Sequence, residues 1–384
     1  MVSVRALISS GFVAVMVLVG FGVPAGAATI DTIARQAILV DANTNTVLFE
    51  KAADQRMPTS SMSKVMTAYM VFEALREKRL TLEDTLPVSE HAWRTQGSKM
   101  FVELGGRIKV EDLIRGMIIQ SGNDASIVLA EGLGGSEEAF AKKMTERAHA
   151  LGMKDSNFVN ATGWPDENHY SSCRDLSTLA RALIFSFPEF YHYDAEREFT
   201  YHGIKQGNRN PLLYRNMGVD GLKTGHTDIA GYGLIASALR DGRRLILVIN
   251  GLPTMQARAD EPARLIEWGF REFSAYTLLK PGEGVDRLPV WLGQAPDVAA
   301  VTGGGLTVTM AQEERRGLKV TMQAQVPLPA PIVKGQTVGK LVITAPGFVT
   351  REVPLIAAED VARLGFFGRL GAAAHHAVFG SPAK

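Results

Sequence analysis

Residues 58–70, PTSSMSKVMTAYM, place a lysine at the opening of an apolar helix. Pro58 stands where helices favour proline, and Ser60 and Ser61 are good caps. Met62, Val65, Met66, Tyr69 and Phe72 then recur at spacings of three and four, which predicts an amphipathic or buried helix. Capping alone accounts for Ser60 or Ser61. It does not account for Lys64. Residues three apart share a helix face, so Ser61 and Lys64 are neighbours. Ser60 has no lysine at that spacing, and Ser63, adjacent to Lys64, points elsewhere. A buried lysine costs free energy unless it has a partner or gives up its proton. A neutral amine beside a hydroxyl is a base beside a nucleophile. S-x-x-K is short and frequent, so its meaning depends on the rest of the chain.

The first 27 residues read as a secretory leader. Arg5 supplies its positive end, residues 6–22 carry no charge, and Ala25-Gly26-Ala27 is a small-x-small cleavage site. The run is short for a membrane span. The exported chain would hold 384 − 27 = 357 residues, enough for two domains. Its charges balance, because Arg5 is the only charge in the leader, and no basic stripe points to nucleic acid. Cys173 is the single cysteine, which excludes an internal disulfide, so stability must come from packed cores. The 8 histidines fall in no metal-ligating spacing, so neither a metal nor another cofactor is expected.

AILVDANTNTVLFE (37–50) reads as a hairpin around Asp41–Asn45. With the Ser61 helix it begins a mixed α+β domain. Helical patterns dominate to about residue 190, with LIRGMIIQ (113–120) and ASIVLAEGL (125–133) flanking SGND, and a helix over 137–152. Strands follow at 232–239 and 243–252, then a closing helix over 262–273. Lys280-Pro281-Gly282 marks a boundary, giving a first domain over 28–279. Short alternating strands over 280–356 predict a small all-β domain. The remaining 357–384 is a helical tail interrupted by Gly365, Gly368 and Gly371.

Two more polar clusters interrupt the apolar pattern. Ser121 and Asn123 lie in a tight turn between apolar helices, where unpaired polar groups are costly. Lys223, Thr224 and Gly225 read as a turn at a strand edge, offering a cation, a hydroxyl and a glycine that lets a ligand approach the backbone. S-x-x-K, S-x-N and K-T-G in that order resemble the serine penicillin-binding proteins and the related β-lactamases. PTSSMSKVMT, IIQSGNDAS, NATGWPDENHYSSCRDLSTLA and MGVDGLKTGHTDIAGYGLIAS resemble the low-molecular-mass D-Ala-D-Ala carboxypeptidases in particular.

That resemblance implies a β-lactamase/transpeptidase-like catalytic domain, an antiparallel sheet packed with helices plus a helical subdomain, followed by the β domain. It implies Ser61 as nucleophile, Lys64 as its base, and Ser121 as proton relay to the leaving amine. Lys223 would help keep Lys64 neutral, and Asn123 would hold the substrate backbone. Thr224, Lys223, Arg258 (in TMQARADE) and Arg209 (in GNRNPLLY) would meet the substrate carboxylate. The backbone N–H groups of Ser61 and His226 would take the oxyanion, with Gly225 beside them. The substrate would be a peptidoglycan stem peptide ending in D-Ala-D-Ala, with β-lactams as covalent inhibitors, in the periplasm. The tail would lie on the outer face of the inner membrane. Val361, Leu364, Phe366, Phe367 and Leu370 supply apolar material there, but Arg363 and Arg369 break the stripe. A β-lactamase, a DD-endopeptidase and a non-catalytic cell-wall binding protein are the alternatives. No E-x-x-L-N segment between Ser121 and Lys223 matches the water-activating glutamate of a β-lactamase.

Overall fold

The computed structural model describes residues 30–371. The expected leader and residues 372–384 of the expected tail lie outside the described residues. The chain forms two compact units, one over Ile30–Arg271 and another that begins at Glu272.

In the first unit, β1 (Gln36–Asp41) and β2 (Thr46–Lys51) form the expected hairpin. Asp41 sets its turn, because Oδ1 accepts from the amides of Asn43 and Thr44. A 3₁₀ turn, Ser60–Ser63, leads into α1 (Lys64–Arg76). The hairpin strands β3 (Thr85–Pro87) and β4 (Arg107–Lys109) enclose α2 (Glu90–Arg94). Next come α3 (Val110–Ile118), α4 (Asn123–Gly134), α5 (Glu137–Ala150), α6 (Cys173–Ser186) and the short α7 (His192–Ala195). The pair β5 (Glu198–Tyr201) and β6 (Ile204–Gly207) precedes β7 (Val219–Thr227), β8 (Gly231–Arg240) and β9 (Arg243–Leu252). The unit closes with α8 (Met255–Glu272).

The main sheet is antiparallel and five-stranded, in the order β2-β1-β9-β8-β7. Pairing of β1 with β9, for example Ile38 with Val248, ties the first hairpin to the last strand. Residues 245–249 of β9 are all buried, as a central strand covered on both faces requires. The helical side shares one core with the sheet, in which Met66 and Phe72 of α1 join Leu113, Val128, Leu176 and Ile246. Every residue of α4 from Asn123 to Ala130 is buried, which makes it the central helix.

Three sequence expectations shift. K-T-G lies within the edge strand β7, and the turn follows it. Helix α8 starts at Met255, about two turns before Pro262, which sits inside it. Proline is favoured in a first turn, so the pattern pointed to a start at Pro262 and left Arg258 outside the helix. The second unit takes in 273–279, which pairs with 306–311, so Lys280–Gly282 lies after its first strand.

The second unit is the expected β architecture. Its six-stranded sheet runs 319–323, 337–344, 351–357, 297–302, 284–291 and 328–329. The expected tail is partly core here. Val361 is buried and bridges Ile332, and Arg363 bridges Gly293. Residues 366–371 form a short helical turn on which Phe366, Phe367 and Leu370 are exposed. Among the described residues, no helix is long and apolar enough to cross a membrane.

Candidate active site

The 3₁₀ turn carries Ser61 half-buried and hands over to α1 at Lys64, whose side chain is enclosed. Lys64 Nζ donates to Ser61 Oγ at 3.0 Å, to Asn123 Oδ1 at 2.7 Å and to the Thr162 carbonyl at 2.7 Å. Burial pulls its pKa from 10.5 down to about 7, and the Arg209 charge adds to the fall. Asp124 and Glu137 oppose it. Exclusion from water, expected from the sequence for a lysine in a buried helix, is the main cause, and the helping charge is that of Arg209 where the resemblance implied Lys223.

A second lysine–hydroxyl pair stands beside the first. Lys223 Nζ, buried on β7, donates to Ser121 Oγ at 2.9 Å and to the Thr224 carbonyl at 3.3 Å. Burial lowers its pKa well below the ordinary value, with Lys64, Arg209 and Arg258 adding to the fall and Asp194 opposing it. Ser121 fills the joint between α3 and α4 with φ +60°, a left-handed conformation that is uncommon for serine and concentrated at functional sites.

Asn123 is more tied than the sequence suggested. Its carbonyl oxygen accepts from Lys64, and Nδ2 donates to the Gln96 carbonyl at 2.7 Å. Of its two amide hydrogens, one is left for a substrate. Asp124, which the sequence reading passed over, holds the neighbouring segment. Its carboxylate accepts from the amides of Met100, Phe101 and Val102 at 3.0, 2.9 and 3.2 Å.

β7 lies tightly against the Ser60–Ser63 turn. A Cβ on Gly225 would come within 2.9 Å of the Thr59 carbonyl and 3.2 Å of Ser60 Cβ. Gly225 thus admits the turn of this chain to the strand, which is more than room for a ligand. Thr224 is buried beside it, and Ser60 Oγ lies 3.2 Å from Thr227 Oγ1. As the sheet edge, β7 has one side without a neighbouring strand. The His226 imidazole is exposed and lies over Tyr232, with ring centroids 3.9 Å apart. The Arg258 guanidinium also lies over the Tyr232 ring, 5.3 Å from its centroid. Arg258 is 8% exposed, and its Nε has no hydrogen-bond partner. Arg209, exposed, donates to Ser98 Oγ at 2.5 Å.

The site therefore gathers Lys64, Lys223, Arg209 and Arg258, while the nearest buried acid under β7, Asp194, is pushed up to about 8, by burial first and Asp220 next. Such a cluster suits an anionic ligand. Sequence reasoning also missed the 160–164 turn. Thr162 acts through its carbonyl, and Gly163 allows an approach that no side chain could, since a Cβ there would sit 1.8 Å from the Ser60 carbonyl oxygen. Behind the turn, His169 Nε2 lies 2.7 Å from Ser63 Oγ. Among the described residues, no group of three or more His, Cys, Asp and Glu is placed to hold a metal.

A hydroxyl paired with a depressed lysine, a second such pair and a basic rim define a serine hydrolase of the acyl-enzyme type. The chain belongs to the D-alanyl-D-alanine carboxypeptidase family, whose pattern matches residues 24–254, and residues 273–363 match the C-terminal domain of penicillin-binding protein 5. It is 39% identical over 345 residues to D-alanyl-D-alanine carboxypeptidase DacC of Escherichia coli, covering 88% of this chain and 86% of that one. It is similar to the crystal structure of penicillin binding protein 5 from Haemophilus influenzae, with a TM-score of 0.84 and 34% identity over 88% of this chain and 100% of that one. The ampicillin-bound penicillin-binding protein D2 from Listeria monocytogenes, with a TM-score of 0.58 and 33% identity, covers 63% of this chain and 99% of that one.

Proposed function

We propose that this serine peptidase removes the terminal D-alanine from peptidoglycan stem pentapeptides through an acyl-enzyme on Ser61. The carrying observation is the 3.0 Å contact from Lys64 Nζ to Ser61 Oγ, made by a lysine whose burial lowers its pKa to about 7. Such an amine accepts the hydroxyl proton at neutral pH. Oγ attacks the carbonyl carbon of the penultimate D-alanine, and the oxyanion is received by the backbone N–H groups of Ser61 and His226. The carbon–nitrogen bond then breaks as Ser121, held by Lys223, passes the proton taken by Lys64 to the nitrogen of the departing D-alanine, which leaves Ser121 a hydroxyl and Lys64 neutral. Water attacks the resulting ester, Lys64 takes its proton, and as the bond from the acyl carbon to Oγ breaks that proton returns to Ser61.

The substrate's free carboxylate fits the basic rim. Arg258, with its unpartnered Nε, Arg209, Thr224 and Lys223 provide donors for it. Asn123 offers its remaining amide hydrogen to the peptide backbone, and Gly225 brings β7 close to the reacting carbonyl. A penicillin carries a carboxylate and an acylating amide, so it enters as a covalent inhibitor. The ampicillin-bound relative supports this. The leader-like residues 1–27 support export to the periplasm, and the exposed Phe366, Phe367 and Leu370 support peripheral contact with the outer face of the inner membrane. The test is release of free D-alanine from a defined pentapeptide, together with a penicilloyl adduct mapped to Ser61. Absence of both with folded protein would refute the reading.

A further inference from the structure

Trp164 is a large aromatic side chain, 48% exposed, on the 160–164 turn. A single exposed aromatic needs no explanation in itself. This one is fixed in place beside the nucleophile. Asn160 Oδ1 accepts from the amides of Thr162, Gly163 and Trp164 at 3.1, 2.8 and 3.0 Å, and Asn160 Nδ2 donates to the Trp164 carbonyl at 3.0 Å. The same turn is bolted to the catalytic residues, because the Thr162 carbonyl accepts from Lys64 Nζ at 2.7 Å and Gly163 abuts the Ser60 carbonyl. The far edge of the indole reaches the active-site rim. A Cβ built on Gly97 would lie 3.2 Å from Trp164 Cζ3 and 2.9 Å from Asn123 Nδ2. The indole edge and the Asn123 amide thus share the space over Gly97.

Resting on the D-Ala-D-Ala reading above, we propose that Trp164 is a specificity-determining residue for the acyl side of the substrate, its indole forming a shelf for a long aliphatic side chain on the residue preceding the two D-alanines. Lys223, Thr224 and Arg258 draw the terminal carboxylate to the β7 flank of Ser61. The acyl chain then runs the other way, past Asn123 and onto the 160–164 turn. The turn is wired before any ligand arrives, so little ordering cost opposes the contact. Trp164 takes no part in the bond changes.

The test compares two peptides ending in D-Ala-D-Ala, one with a lysyl residue before the pair and one with glycine there. For the native protein kcat/KM should favour the lysyl peptide about tenfold, the worth of roughly two methylenes buried against the ring. In Trp164→Ala that preference should collapse, with the loss mainly on the lysyl peptide and carried by KM. Trp164→Phe should retain most of it. Acylation by 6-aminopenicillanic acid, which has no acyl side chain, reports the integrity of the Ser61 site in each variant. A lysyl preference that survives Trp164→Ala overturns the proposal. So does an equal loss on both peptides and on 6-aminopenicillanic acid, which marks Trp164 as structural. Failure of the native protein to release D-alanine from either peptide would instead overturn the activity on which the proposal rests.

Discussion

The depressed pKa of Lys64 makes a numerical prediction for the chemical step. With the value at about 7, the neutral fraction of Lys64 is roughly a tenth at pH 6 and roughly nine-tenths at pH 8. Penicillin's carboxylate stays ionised over this range, so the substrate adds no titration of its own. The second-order rate constant for acylation of Ser61 should therefore rise about tenfold from pH 6 to pH 8 and then level. Rapid-quench mixing with penicillin, followed by intact-mass measurement of the adduct, gives this rate at each pH. A lysine at its ordinary value of 10.5 would instead give a rate that climbs about tenfold per unit to pH 9 and beyond. Either that climb, or a rate that is flat between pH 6 and 8, would refute Lys64 as the base in this environment. The same shift has a consequence for folding. Between about 7 and 10.5 the unfolded chain binds a proton at Lys64 that the native protein does not. Stability contributed by this group therefore rises with pH across that window, and the full cost, about 5 kcal/mol, is present below pH 7. Lys64→Met should reduce the slope of stability against pH over that range, as read by urea unfolding.

Ser61→Ala should abolish penicillin labelling and D-alanine release while the thermal transition persists, and an adduct still formed on the variant would implicate another serine such as Ser60. Arg258→Ala should lower kcat/KM for peptides with a free terminal carboxylate by about tenfold to a hundredfold, the worth of a charge-assisted hydrogen bond. An amidated peptide should be poor from the start and little affected, and equal losses on both peptides would make Arg258 structural. His169 has its pKa drawn from 6.5 to about 4, mainly by burial, so the native protein lacks a proton that the unfolded chain binds between those values. Stability should fall by up to about 3 kcal/mol from this group as pH drops through that window, and His169→Gln should show a smaller acid loss than the native protein in urea melts at pH 4.5 and 7.

Legibility in the sequence followed the range of the contact. The β1–β2 hairpin and the Ser61–Lys64 pair are local, set by a period of two, a turn-forming Asp41 and an i, i+3 spacing. They could be read from the residues alone. The pairing of Lys223 with Ser121 spans 102 positions, and no spacing rule brings it together. It was foreseen only because three motifs in order resembled a known family. The fold of the second unit was legible from its alternating strands, but its edge was not. The strand 273–279 follows directly on α8, and only its pairing with 306–311 assigns it to that unit.

What escaped both routes was backbone chemistry. The Thr162 carbonyl holds Lys64 as firmly as Asn123 does, yet a carbonyl belongs to every residue and leaves no mark on a sequence. Gly163 is needed because of what lies opposite it, the Ser60 carbonyl 103 positions earlier, and nothing in N-A-T-G-W announces that neighbour. Arg209 acts on Lys64 through charge, a role that the resemblance implied for Lys223. On the proposed mechanism the motifs name the reacting groups, whereas burial and the Arg209 guanidinium lower the proton affinity of Lys64. On that mechanism, a variant that keeps all three motifs but opens the 160–164 turn to water should raise the Lys64 pKa and slow acylation by penicillin at pH 7, and an unchanged rate would refute the link.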